Sequence, residues 1–214
     1  MVVLTRSSAL TQLAMQLRTA DFPLAEKWLA VEEWFRAWAT QPDLRMELRE
    51  HLRRLQPADS AAIRIGSRET TTHFAWCLLD SPGDEFSFWL HEYKPQQDWR
   101  QGYADSVHNH RYHFCTTILR GSYVHERYDA QLDTQTELIV STRLRKRNLC
   151  PAGASGALLA DEFHRIPAAA EDTMTFLVKS RAVTKSSVSY DPKTGISHRH
   201  VPVEVRLGEL ADRI

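Results

Sequence analysis

The chain of 214 residues is long enough for one domain with a sizeable core, and 43% hydrophobic with 25% charged residues is a globular composition. Its 27 basic and 27 acidic residues give zero net charge, which argues against general affinity for nucleic acid or an anionic membrane. No apolar run approaches the roughly 20 residues of a membrane helix. Three widely spaced cysteines form no disulfide framework. We therefore expect a cytoplasmic protein with reduced thiols that acts on a small molecule.

The first part of the chain predicts helices. Leu10, Leu13 and Leu17 recur at helical spacing behind Ser8, a residue type that caps helix starts. A second helix is predicted to open at Asp21, with an apolar stripe of Leu24, Trp28, Val31, Phe35 and Trp38. A third is predicted from Gln41, with Leu44, Leu48, Leu52 and Leu55, and ends near Pro57. We predict a helical segment over residues 1–57 that packs on a second unit, a barrel over 58–214.

After Pro57 the pattern changes to short runs of β-branched and aromatic residues separated by turn formers, which is typical of an antiparallel β domain. The predicted strands are 61–65, 72–79, 85–93, 107–119, 123–128, 138–144, 157–160, 162–167, 173–179, 183–190 and 200–205. This many short strands predicts two facing sheets or a barrel. The mouth of such a barrel is a common place for a small-molecule site.

A His-x-His pair lies within the predicted strand 107–119. Side chains alternate along a strand, so His108 and His110 project from the same face and bring two imidazoles within reach of one cation. An isolated pair of this kind fits exposed or core-packed histidines as well as metal ligands. His164, on a later predicted strand, is the candidate for a third ligand.

The arrangement of His108, His110, Gly121 and His164 resembles the two-motif signature of the cupin superfamily. Within that superfamily, residues 74–80, 85–90, 108–110, 164–166 and 176–180 resemble cysteine dioxygenase and its thiol dioxygenase relatives in order and spacing. The similarity covers roughly residues 70 to 185. It implies a mainly β cupin barrel, a double-stranded β-helix or jelly roll, with an α-helical N-terminal segment. It also implies a non-heme Fe(II) centre held by the three histidines.

Three departures from the family pattern bear on the chemistry. Many cupins have a glutamate ligand seven residues before the motif glycine, where this chain has Phe114, so the site resembles one with three histidines. Cysteine dioxygenases place there a cysteine that can cross-link to a tyrosine. Cys115 lies one residue away and Lys179 occupies the approximate tyrosine position, so we expect no cross-link. The family's carboxylate-binding arginine falls near Trp76, which predicts a substrate bulkier or less charged than cysteine.

Three neutral imidazoles leave Fe(II) with open positions, where an anionic, chelating substrate can bind beside O2. The resemblance thus implies an oxidoreductase that uses O2 on a small molecule. The same triad can hold zinc or manganese. A non-oxidative isomerase or lyase of the cupin type, or a cupin that only binds a ligand, therefore remains open, as does assembly into a homodimer.

Other polar residues are candidates for the same site. Tyr112 shares the ligand face and is predicted, with Trp76, to take part in catalysis and substrate binding. Lys179 and Tyr123 are predicted to bind substrate. His113 is expected on the opposite face unless the strand has a bulge. The second pair, His198 and His200, lacks a following glycine and a later histidine, so we expect surface or rim positions.

Overall fold

The computed structural model describes residues 8–100, 102, 105–202, 206–207, 210–211 and 213. Its helices are α1 (Ala9–Arg18), α2 (Trp28–Ala39), α3 (Leu44–Arg53) and α4 (Pro57–Gly66). None of the helices in these ranges is long and apolar enough to cross a membrane. The strands are β1 (Arg68–Glu69), β2 (His73–Leu79), β3 (Phe86–Tyr93), β4 (Val107–His108), β5 (Phe114–Arg120), β6 (Ser122–Leu132), β7 (Ile139–Pro151), β8 (Ser155–Leu158), β9 (Phe163–Ala169), β10 (Met174–Ser180), β11 (Ser187–Asp191) and β12 (Ile196–His200).

The strands form two antiparallel six-stranded sheets. The first has the order β1-β2-β3-β10-β5-β8 and the second has the order β12-β11-β4-β9-β6-β7. Strands β3 to β6 alternate between the two sheets, β7 pairs with β6 as a hairpin, and β8 to β10 alternate again. This winding is that of a jelly roll, so the predicted mainly β barrel with an α-helical N-terminal segment is confirmed.

The helices cover the outer face of the first sheet. Phe176 of β10 is fully buried, and its ring centroid lies 4.8 Å from that of Trp38 and 6.3 Å from that of Phe35 in α2. The Trp38 indole N–H also donates to the Ala9 carbonyl of α1, at 2.9 Å. Because strand side chains alternate, the neighbours of Phe176 on β10, Leu177 among them, face the barrel interior. The aromatic stripe of α2 is therefore packing, as its spacing predicted.

Two predicted elements are wrong before the first strand. Residues 61–65 belong to α4 and not to a strand; Pro57 occupies its first turn, and Ile65 is 86% exposed. Alanines at 61 and 62 favour the helix more than the isoleucines favour a strand. The second helix begins at Trp28 and not at Asp21: residues 24–27 form turns, and the Leu24 N–H donates to the Glu85 carboxylate at 2.9 Å. The division into units 1–57 and 58–214 stays a prediction.

The predicted strand 107–119 is interrupted. β4 ends at His108 in the second sheet, and β5 begins at Phe114 in the first, so residues 109–113 connect the two sheets. The predicted strand 183–190 begins only at Ser187, and β12 precedes most of the predicted strand 200–205, of which 203–205 lie outside the described residues. The interruption after His108 decides the shape of the site.

Gly121 joins β5 to β6 in a conformation that favours glycine, with φ +74°. A Cβ atom added there would lie 2.4 Å from the Thr173 hydroxyl and 2.9 Å from its Cα. Any larger residue would therefore collide with backbone as well as strain the turn. The glycine of the sequence motif thus has a steric reason within this fold.

Candidate metal centre

Three imidazoles meet between the strands of the second sheet. His108 ends β4, His164 lies directly opposite it on β9, and His110 follows in the connection after β4. One ring nitrogen of each lies within 4.8 Å of the others. His108 and His164 are each only 4% exposed. The structure therefore brings together the three histidines that the sequence pattern selected.

Hydrogen bonds orient two of these rings. Nδ1 of His108 lies 2.9 Å from the Ser106 carbonyl oxygen, which can only accept, so Nδ1 carries the proton and Nε2 keeps its lone pair. Nδ1 of His164 lies 3.0 Å from Nε2 of His125. When Nδ1 of His164 donates that bond, its Nε2 also keeps a lone pair. Such outer partners commonly fix the tautomer of histidine ligands.

The donor set fits a divalent metal ion. Nε2 of His110 and Nε2 of His164 are 2.9 Å apart, so the two nitrogens share either a proton or a cation. Two imidazole nitrogens at about 2.1 Å from one ion and at right angles stand about 3.0 Å apart, close to the observed separation. Three such nitrogens can occupy one face of an ion and leave its other positions for ligands.

The electrostatics of the cluster keep the imidazoles neutral, as metal ligands must be. Burial lowers the pKa of His108 to about 4, with its bond to Ser106 opposing the shift. Burial and the neighbouring His108 lower the pKa of both His110 and His164 well below the usual range. At neutral pH these side chains therefore offer lone pairs and carry no charge.

The triad lies in a cavity of about 780 Å³. Tyr112, Lys179 and Tyr123, all predicted from the sequence, line this cavity together with the three histidines. The Tyr112 ring stacks on that of His110 with centroids 5.2 Å apart, and Lys179 Nζ lies 5.2 Å from the Tyr112 centroid. The geometry thus groups these side chains with the triad, while their roles in catalysis and substrate binding stay predictions.

Trp76 lies apart from the other predicted site residues. On β2 its neighbours Ala75 and Cys77 are buried inside the barrel, so Trp76 projects from the outer face of the sheet. Its indole N–H donates to the Glu92 carboxylate at 2.9 Å. The expected place of Trp76 in the substrate site is therefore corrected, because alternation along β2 turns its side chain away from the cavity.

Phe114 and Cys115 face opposite sides of β5. The Phe114 ring borders the cavity, 5.0 Å from that of His110, where it offers no metal ligand. Cys115 is fully buried among the residues that pack against the helices, and burial raises the pKa of its thiol. This placement agrees with the expectation that Cys115 forms no cross-link beside the triad.

The remaining histidines considered in the sequence lie in three different places. His113 faces the helices: its Nδ1 accepts from the Ala160 N–H at 2.9 Å, and its ring centroid lies 6.0 Å from that of Trp28. His198 is exposed on β12. His200 reaches the cavity wall, where its Nε2 lies 2.7 Å from the Ser189 hydroxyl.

Sequence reasoning did not place His73, His91 and His125 at the site, yet all three line the cavity. His73 and His91 stack with centroids 4.2 Å apart, on neighbouring strands β2 and β3. Alternation along β6 places His125 on one face with Tyr123, but only the pairing of β6 with β9 identifies that face as the inner one.

Replacing His125 with phenylalanine is expected to lower the affinity for Zn(II) or Fe(II) by about 10- to 100-fold. The substitution keeps a ring of similar size but removes the nitrogen that fixes the orientation of His164. Competition with a chromophoric chelator would measure the affinity, with His198→Phe on the exposed strand β12 as the matched control. An unchanged affinity in His125→Phe would contradict this role.

Comparison with known proteins gives only distant similarities. No family model matches the sequence, and no curated protein matches it. Solved structures with similar regions include an oxalate decarboxylase variant from Bacillus subtilis (16% identity, TM-score 0.38, 55% of this chain and 28% of that one). A DMSP lyase from Ruegeria pomeroyi shares 11% identity with a TM-score of 0.37, over 57% of this chain and 56% of that one. A putative sugar phosphate isomerase from Acidithiobacillus ferrooxidans shares 11% identity with a TM-score of 0.42, over 68% of this chain and 89% of that one. At these scores the similarities carry no conclusion about fold or activity.

Proposed function

We propose that the protein is a non-heme Fe(II) dioxygenase of a small molecule, related to the thiol dioxygenases and with an altered substrate. His108, His110 and His164 would hold the iron. The observation that carries this proposal is the convergence of three neutral imidazoles in a cavity whose described lining has no Asp or Glu. When bound, iron with three neutral ligands supplies O2 chemistry, since it keeps its dipositive charge and open positions.

The lining favours this reaction over a zinc or manganese isomerase or lyase. Those reactions need a general base near neutral pKa, most often a histidine or a carboxylate. The described lining lacks carboxylates, and burial lowers the pKa of His73 to about 3 and of His125 to about 4. Such histidines are weak bases at pH 7, and the amine of Lys179, whose pKa burial lowers, is the base that a non-oxidative reaction would use. We rank these reactions second, with ligand binding alone as a further alternative.

The other side chains of the cavity would bind and shield the substrate. Burial raises the pKa of Tyr112, so its phenol stays protonated and can donate a hydrogen bond to substrate beside His110. Phe114, Leu158 and Leu177 form an apolar wall that excludes water. Lys179 contributes an amino group and Tyr123 a second phenol. With balanced net charge and reduced thiols, we propose that the reaction takes place in the cytoplasm.

Oxygen uptake tests the proposal. Protein loaded anaerobically with Fe(II) is expected to consume O2 with at least one member of a panel of thiols, amino acids and keto acids. With ¹⁸O2, the product is expected to carry two labelled oxygen atoms, and His198→Ala to behave as the unmodified protein. No O2 uptake with iron, together with anaerobic conversion of a substrate by the zinc or manganese form, would establish an isomerase or lyase instead.

A further inference from the structure

Lys179 is a buried amine in the lining of the cavity. It lies near the end of β10, paired with Ser87 of β3 on one side and with Phe114 of β5 on the other. Its side chain is among the cavity-lining groups, and the residue is 4% exposed. Within the described residues, no hydrogen bond or ion pair engages its Nζ atom. Because an ammonium group without a counter-ion is costly to bury, this position favours the neutral amine.

Aromatic and aliphatic side chains surround this amine. Its Nζ lies 4.1 Å from the centroid of the Trp89 ring and 5.2 Å from that of Tyr112. Both rings belong to an apolar cluster that also contains Phe114, Leu158 and Leu177. Side chains of this kind cannot replace the water that hydrates an ammonium group in solution. The surroundings therefore act on the amine by removing water from it.

A neighbouring cation acts in the same direction as the burial. The guanidinium carbon of Arg68 lies 4.7 Å from the centroid of the same tryptophan ring. Asp80, the carboxylate whose charge acts on Lys179, is itself paired with Arg181 at 2.6 Å. Burial, followed by the charge of Arg68, lowers the pKa of Lys179 well below its usual range, while Cys77 and Asp80 oppose the shift. Removal of water and a nearby cation are the two means by which proteins make a lysine nucleophilic near neutral pH.

Lys94 provides a comparison within the same chain. It is also buried, at 7% exposed, but its Nζ forms an ion pair with Glu69 at 2.5 Å and donates to the Thr70 carbonyl at 2.7 Å. These partners stabilise a charged lysine in a position with little solvent. Lys179 has neither kind of partner in the described part of the chain. The two buried lysines therefore differ in that the nitrogen lone pair of Lys179 is available for reaction inside the cavity.

We propose that Lys179 forms an imine with a small aldehyde that enters the cavity. Nζ attacks the carbonyl carbon to give a carbinolamine, the C–O bond then breaks, and the oxygen leaves as water with the two protons of the amine. No electrons are gained or lost, so the step needs neither O2 nor a metal ion and goes beyond the proposed function. The apolar walls around the amine favour an aldehyde with an uncharged hydrocarbon or aromatic body.

Reductive trapping in the full chain tests the inference. Chelator-treated protein would be incubated with benzaldehyde and sodium cyanoborohydride at pH 7, which reduces an imine to a stable secondary amine, and peptide mass spectrometry would locate the adducts. Solvent-exposed lysines are almost entirely protonated at this pH and react slowly. We therefore expect Lys179 to be modified at least about 10-fold faster than the exposed Lys27, Lys185 and Lys193, and the ion-paired Lys94 to show no such fast reaction.

Two variants complete the test. Lys179→Met removes the amine but keeps an unbranched side chain, and it is expected to lose the fast reaction. Lys185→Met, which removes an exposed lysine, is the matched control and is expected to keep it. The inference is overturned if Lys179 in the original chain reacts no faster than the exposed lysines, or if Lys179→Met keeps the fast reaction. The first of these outcomes requires no variant to fold, and because no metal is present, a failure here is distinguishable from a failure of O2 uptake.

Discussion

His164→Ala is expected to lower the affinity of the protein for Fe(II) by more than about 100-fold and to abolish O2 uptake. Loss of an outer partner already costs about 10- to 100-fold in metal affinity, and loss of a ligand costs more. His164 is central to the cluster because its Nε2 lies 2.9 Å from that of His110, while its Nδ1 meets His125. Without it, two imidazoles remain, and two ligands hold a divalent ion weakly.

Equilibrium competition for Fe(II) under anaerobic conditions would measure this loss, followed by O2 uptake with the same samples. His198→Ala is the matched control, since His198 belongs to the second His-x-His pair, outside the triad, and is exposed on β12. Circular dichroism would show that both variants keep the β fold. Equal iron affinity in His164→Ala and His198→Ala would remove the basis for the proposed metal centre.

The free energy of unfolding of the metal-free protein is expected to fall as the pH is lowered from 7.5 to 5, with about 2 kcal/mol of the loss due to His73. Burial, then the charges of Lys179, Arg68 and Lys94, lowers the pKa of folded His73 to about 3. In the unfolded chain its pKa is about 6.5. Below pH 6.5, His73 therefore binds a proton in the unfolded state, whereas in the folded state it does so only below about pH 3. Acid therefore favours unfolding.

Urea unfolding at pH 7.5 and pH 5, in the presence of a chelator, would measure this difference. His73→Gln keeps a polar side chain beside Thr72 but cannot take up a proton, so its stability loss between the two pH values should be smaller by about 2 kcal/mol. His198→Gln, on the exposed strand, should retain the full loss. A loss that is identical in His73→Gln and the unmodified protein would contradict the burial of a neutral His73.

Part of the site followed from the sequence because its residues belong to a compact motif. His108, His110, Gly121 and His164 have a fixed spacing, and the structure gives each a geometric reason within the jelly roll. Alternation along one strand does not account for His110, however. β4 ends at His108, so His110 reaches the triad from the connection between the sheets and not from a continuous strand.

The rest of the cavity depends on which strands pair, and sequence pattern alone does not give that. His91 and Lys179 line one cavity because β3 pairs with β10, strands separated by some 80 residues of chain. The prediction for Trp76 failed because its side chain projects from the outer face of β2, and an offset of one residue along a strand exchanges the two faces. The pairing registers of β2, β3 and β10 decide which of their side chains face the cavity, and the sequence does not contain these registers in readable form.

Two predictions failed in the helical part of the chain, each at the choice between a helix and another local structure. Asp21 and Pro23 form a good start signal for a helix, yet the Glu85 carboxylate takes the Leu24 N–H and the helix starts at Trp28. Residues 61–65 show the reverse case, in which helix-forming alanines outweigh two β-branched isoleucines. Neither deviation affects the cavity, because both regions lie outside the barrel interior.

The metal content of the native protein tests the central claim most directly. Protein expressed with supplemental iron and purified anaerobically without chelators would be analysed by mass spectrometry for iron, zinc and manganese. A site of three buried neutral imidazoles predicts about one iron ion per chain, and a marked loss of it in His164→Ala. A chain that carries no stoichiometric transition metal, or the same amount with and without His164, would contradict the account.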